Sequence, residues 1–150
     1  MRAIHLSILP LLFASSLAAQ EMKQDLKKDY IDPVEATASS TIVKVKGGSL
    51  LFLAGHTASQ PDRNADLGNF DTQAKITMNK IKATLDKAGG SFDDIVSLSV
   101  YVTDLRYVPQ FTKLAKELFK NGYPATTFVE VVHLARPESL LEIQPIAVLK

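Results

Sequence analysis

Apolar and polar residues follow three rhythms along this chain, and each predicts a different element. Ile42-Val43-Lys44-Val45-Lys46 is β-branched and reads as a strand. Gly47-Gly48 after it is a two-residue hairpin signal. Ser49 to Ala54 carries Leu50, Leu51, Phe52 and Leu53 without a break, which predicts a strand covered on both faces. Gly55 to Gly68, with Pro61-Asp62 and Asn64, predicts a loop. Over Asn69 to Ala88, Ala74, Met78, Ile81, Leu85 and Ala88 recur at steps of four and three, so one face of a helix is apolar. Asn69 or Asp71 can cap it, and Gly89-Gly90 stops it. Ile95 to Thr103 alternates cleanly, with Val96, Leu98, Val100 and Val102 on one face and Ser97, Ser99 and Tyr101 on the other.

Arg106 to Phe119 predicts a second helix. Pro109 is in its first turn, and Val108, Phe111, Leu114, Ala115 and Leu118 face inward. Asn121-Gly122-Tyr123-Pro124 is a turn, and Ala125 to Val132 and Leu141 to Leu149 are the last strands. Gln20 to Ser40 is polar, with a turn at Asp32-Pro33 and at most a short strand. The order is β-β-α-β-α-β-β. Two helices cannot cover both sides of five strands. An α+β design follows, with both helices on one face of a mixed sheet. The other face needs cover, and homo-oligomerisation is the simplest way to supply it.

The first 19 residues stand apart from this pattern. A short positive start at Met1-Arg2, an apolar run over Ile4 to Leu12 and small residues at Ser16-Leu17-Ala18-Ala19 predict a signal peptide cleaved after Ala18 or Ala19. The apolar run is too short to cross a bilayer. The expected organisation is a signal peptide over 1–19, a lead-in over 20–39 and one domain over 40–150, exported to the periplasm or secreted. Without Arg2 the 17 Lys and Arg become 16, against 16 Asp and Glu. That balance argues against nucleic acid and gives no reason to expect a membrane partner after signal cleavage. The absence of cysteine excludes disulfides, thiolate catalysis and cysteine-based zinc sites.

Few residues are left for chemistry. His56 and His133 end strands and form no HExxH helix, so no metal is expected. Ser39, Ser40, Thr41, Thr57, Thr126 and Thr127 lie outside any G-x-S-x-G elbow. Glu130 and Glu142 are on the last two strands, where Glu142 points away from its apolar neighbours Leu141 and Ile143. Such a carboxylate either faces solvent or orients a water in a cleft.

Tyr123-Pro124-Ala125-x-x-x-Val129-Glu130-Val131 followed by Leu141-Glu142-Ile143-x-x-Ile146-Ala147-Val148 is similar to the C-terminal signature of the RidA/YjgF family. The resemblance spans residues 40 to 149. It includes Leu51-Phe52-Leu53-Ala54-Gly55-His56, Phe70-Asp71-x-Gln73, Asn79, Lys87 to Val96 and Val100-Tyr101-Val102-Thr103-Asp104. It implies a chorismate-mutase-like α+β fold and a homotrimer with small-molecule clefts at its subunit interfaces. It also implies hydrolysis of reactive enamines and imines, made by pyridoxal-phosphate enzymes, to a 2-oxo acid and ammonia. No cofactor is implied. Glu142 would assist the water. Thr126, Ser39, Ala54, Gly55, His56 and Phe128 would bind the substrate.

The chain departs from the family pattern at several of these positions. Thr126 stands where the family carries an arginine that grips a carboxylate, and Ser39 where it carries a tyrosine. Ala54-Gly55-His56 replaces S-G-Q, and Gln144 replaces a second glutamate. Pro145 cannot donate to a ladder and predicts an edge or a bulge. Three readings stay open. One is a deaminase in which His56, His133 or Arg136 replaces the missing cation. Another is a hydrolase of substrates without a carboxylate. The last is a non-catalytic exported trimeric small-ligand-binding or protein-stabilising module.

Overall fold

Eight regular elements form in the computed structural model, which describes residues 25–150. The expected signal peptide and the first residues of the lead-in, 20–24, lie outside the described residues. The strands are β1 (Lys27–Val34), β2 (Ser39–Lys46), β3 (Ser49–Phe52), β4 (Ile95–Val102), β5 (Ala125–Glu130) and β6 (Leu141–Leu149). The helices are α1 (Phe70–Lys87) and α2 (Val108–Leu118). A four-stranded mixed sheet runs in the order β3-β6-β4-β5, with β4 and β5 parallel and the other pairs antiparallel. β1 and β2 form a separate antiparallel ribbon.

Both helices cover one face of the sheet, as the apolar stripes require. Leu98, Val100 and Val102 of β4 and Leu141, Ile143 and Ala147 of β6 pack with Met78, Ile81, Leu85 and Phe111. Each of these side chains larger than alanine is worth about 1.5–3 kcal/mol buried rather than exposed. α1 begins where its cap predicts: Asn69 Oδ1 accepts the Thr72 N–H at 3.0 Å. α2 starts two residues later than its pattern suggests. A 3-10 turn over Leu105–Tyr107 precedes it, capped by Asp104, whose carboxylate accepts the Arg106 N–H at 2.8 Å. The buried stripe of α1 also includes the polar Gln73. Its amide donates to the carbonyls of Gly68 and Glu138 and accepts from the Leu140 N–H, tying two loops to the helix.

Three expectations change in the fold. The lead-in holds a full eight-residue strand, β1, because β2 supplies a partner for it. Gly47 and Gly48 both take positive φ, yet they do not close a hairpin between β2 and β3. Instead the β1–β2 ribbon crosses the ends of the sheet strands. The Ser40 N–H and hydroxyl donate to the carbonyls of Pro124 and Tyr123, and Lys28 pairs with Asp94. A Cβ on Gly122 would overlap the Tyr30 ring. The apolar run over Ser49 to Ala54 is covered on one face only, leaving Leu50 64% and Phe52 71% exposed on an edge strand.

Pro145 sits in a central strand, and of the two outcomes expected for it a bulge forms. Three residues, Leu53 to Gly55, separate the pairs Phe52–Ile146 and His56–Ile143 on one strand, against two, Gln144 and Pro145, on the other. The ladder fails where Pro145 has no N–H to give, and the extra residue bulges outward.

Candidate functional site

That bulge builds the site. His56 rejoins β6 through two backbone bonds of 2.9 Å with Ile143, one residue from Glu142. Gly55, inside the bulge, then lies flat against the Glu142 side chain. A Cβ at Gly55 would overlap Oε1 and lie 2.8 Å from Cδ. Glycine is required there by the close approach of a carboxylate, not by an unusual φ.

Glu142 is half-buried on the sheet face opposite the helices. Its cross-strand partner is Tyr101, and Gln144 and Ser99 form the next pair on that face. Among the described residues no ion pair engages this carboxylate. It is free to accept a proton from a water or ligand. Glu130 is committed elsewhere, its Oε2 accepting the Leu105 N–H at 2.9 Å to cap the 3-10 turn.

The expected substrate contacts divide into two groups. Ala54, Gly55 and His56 gather around β6 near Glu142. The His56 ring, however, follows Ile143 to the helix side, where Nδ1 meets the Ala54 carbonyl at 2.7 Å and Nε2 meets Thr84 Oγ1 of α1 at 2.9 Å. It therefore presents no cation on the face that carries Glu142. Thr126, Phe128 and Ser39 lie at the other end and edge. Thr126 and Phe128 pair with Leu98 and Val100, so both point to the helix side. Phe128 meets the Phe111 ring edge-on at 5.7 Å, and the Thr126 hydroxyl donates to the Pro124 carbonyl at 3.2 Å. Ser39 shares a 2.8 Å hydroxyl contact with Thr37, next to the Ser40 bonds that dock the ribbon on the Tyr123–Pro124 turn. Beside it, Tyr123 donates to Glu35 Oε2 at 3.0 Å, which holds its phenol above the ordinary range.

β4 separates β5 from β6, so Thr126 is two strand spacings from the Glu142 strand, ~10 Å, and on the opposite face. One copy cannot bring Thr126 or Phe128 beside Glu142. The other candidate cations are also placed apart. His133 is exposed in the loop after β5. Arg136 turns inward, donating to the Arg63 carbonyl at 2.7 Å and pairing with Glu138 at 3.5 Å.

Reading the sequence missed Tyr101 as the neighbour of Glu142, although alternation had already set it on the polar face. It also missed Thr84, which left no signal. Its partner His56 is 28 residues away, and nothing local links them. Among the described residues no cluster of three or more His, Asp or Glu is placed to hold a metal ion.

Comparison with known proteins agrees with this architecture. The family model described as Endoribonuclease L-PSP matches residues 32–149. A RutC family protein of Pyrococcus abyssi is 33% identical over 104 residues, which cover 69% of this chain and 81% of the relative. TdcF of Escherichia coli, named as a candidate reactive intermediate deaminase, is 30% identical over 104 residues, covering 67% of this chain and 80% of TdcF. Among solved structures, the Rid family protein YyfB of Yersinia pestis superimposes with a TM-score of 0.71 at 24% identity. The match covers 85% of this chain and 100% of YyfB.

Proposed function

The chain belongs to the endoribonuclease L-PSP family, that of the imine deaminase-like RidA/YjgF proteins, and from that premise we propose that it is an exported imine hydrolase working in clefts between three copies. The observation that carries this reading is the uncommitted Glu142 carboxylate held against Gly55 on the open sheet face. A water beside it gives its proton to Glu142 as its oxygen bonds to the imine carbon. Glu142 then passes the proton to the nitrogen. The resulting carbinolamine collapses to a carbonyl compound and ammonia, with one water consumed.

A shared cleft is supported by two features. Thr126 and Phe128 can stand beside a Glu142 only when that glutamate belongs to another copy. The open face also carries Leu50 and Phe52 as exposed apolar surface on β3. Burying such a patch is what assembly does. The balanced charge of the mature chain favours a small molecule over RNA, despite the name the family carries. The loss of an arginine at Thr126 favours imines without a carboxylate. A bidentate charged contact is worth ~1.5–3 kcal/mol, and a hydroxyl already bonded to Pro124 does not replace it.

The test is imine decay with the purified mature chain. One imine is made from an L-amino acid by an amino acid oxidase and carries a carboxylate. Another is made from a primary amine by an amine oxidase and carries none. Accelerated decay of the second, with Glu142→Gln inactive, is expected. Thr126→Arg should raise the rate on the first by about tenfold or more. Decay of both no faster than in buffer would leave a ligand-binding module without chemistry.

A further inference from the structure

His56 does more than end a strand. We propose that His56 and Thr84 are positioning residues that fix the wall behind Glu142, an inference that rests on the hydrolase reading above. The wall is Gly55, and both of its flanks are pinned. Ala54 before it is held by His56 Nδ1 at 2.7 Å, and His56 after it is held by the two 2.9 Å ladder bonds to Ile143. The ring is anchored to helix α1 through Thr84 Oγ1 at 2.9 Å. The route from helix to carboxylate therefore runs Thr84, imidazole, Ala54 carbonyl, Gly55, Glu142.

The Ala54 carbonyl can only accept, so Nδ1 carries a proton in both charge states. In the neutral ring Nε2 accepts from the Thr84 hydroxyl. In the imidazolium Nε2–H donates to Thr84 Oγ1, whose own proton turns to the Lys80 carbonyl at 3.0 Å. Both states keep both ring contacts, because a hydroxyl donates and accepts. The charged group facing this network from α1 is Lys80, whose ammonium is taken by the carbonyls of Thr57 and Ser59. From β6 the facing residue is the apolar Ile143. Glutamine also offers one donor and one acceptor on a rigid group and should substitute. Leucine should not.

The experiment uses the full mature chain and follows two readouts in Thr84→Val, His56→Leu and His56→Gln. One is the carboxyl carbon resonance of Glu142, assigned by its loss in Glu142→Gln. The other is the kcat and KM of imine hydrolysis. Thr84→Val and His56→Leu should move the Glu142 resonance and lower kcat about tenfold with KM within about twofold, and His56→Gln should restore both. Asn69→Ala, which weakens α1 at its cap, should leave the resonance in place. An unmoved Glu142 resonance in Thr84→Val, or a His56→Gln variant as impaired as His56→Leu, overturns the proposal. Should the wild type hydrolyse no imine, a resonance that still moves in Thr84→Val supports the positioning role while the hydrolase reading fails.

Discussion

Replacing Gly55 with alanine separates the placement of Glu142 from the stability of the fold. The new Cβ would overlap Oε1 and lie 2.8 Å from Cδ, where an ordinary carbon contact is about 3.5–4.0 Å. Cδ must therefore retreat by at least roughly 0.7–1.2 Å, and Oε1, which the new Cβ overlaps, by more. The backbone does not object, because Gly55 is not among the residues with positive φ. What yields is the tip of a flexible side chain, at about 0.5–1.5 kcal/mol for a displaced rotamer. Restricting the unfolded chain returns about 0.4–1 kcal/mol. The net change stays within about 1 kcal/mol, a melting shift of a few degrees. The reaction is less forgiving, since a misplacement of ~1 Å costs about a hundredfold in rate. The assay is imine decay at saturating substrate, with the melting temperature taken on the same preparation. An unchanged rate would refute the role given to the Gly55–Glu142 contact. A melting loss above about 10 °C would show that the Cβ strikes something stiffer than a carboxylate tip.

Other consequences can be checked directly. Gln73→Leu strands two carbonyls and one N–H that the buried amide now satisfies, and should cost about 2–4 kcal/mol in urea unfolding. Asn69→Ala removes the α1 cap and should cost about 1 kcal/mol by the same measurement. Burial, with Asp93 and Asp94 nearby, raises the Tyr30 phenol above its ordinary value. Its contribution to stability is then complete below the unfolded value of about 10 and is lost as pH rises through the folded one. Melting curves above pH ~10 should fall less steeply for Tyr30→Phe than for the wild type, and parallel curves would contradict that cause. Phe52→Asp, on the exposed edge strand, should reduce the solution mass by light scattering from a trimer to a monomer while leaving the chain folded. A wild type that is already monomeric at micromolar concentration would remove the shared cleft.

Periodicity located both helices, β4 and β6 within a residue or two, because each buries one face against the same core and so carries that core in its own spacing. It did not locate β1, whose mixed polar sequence becomes a strand only when β2 is beside it. The hairpin expected at Gly47-Gly48 failed for a related reason. The glycines did adopt the turn-compatible conformation, but the bonds at Ser40 and Lys28 hold β2 with β1 across the strand ends, and β3 goes to β6.

The candidate site shows the same division. Alternation along Leu141-Glu142-Ile143 is a local property, so the sequence alone determined that Glu142 faces away from the core, and Pro145 announced a break in the ladder. Only the tertiary structure decided that the break falls opposite Gly55, that the His56 ring turns to Thr84, and that Thr126 and Phe128 stand on the other face from Glu142. Those facts depend on which strands are neighbours and in what register. Register is set by the packing of the whole sheet, and one residue of slip would exchange every face.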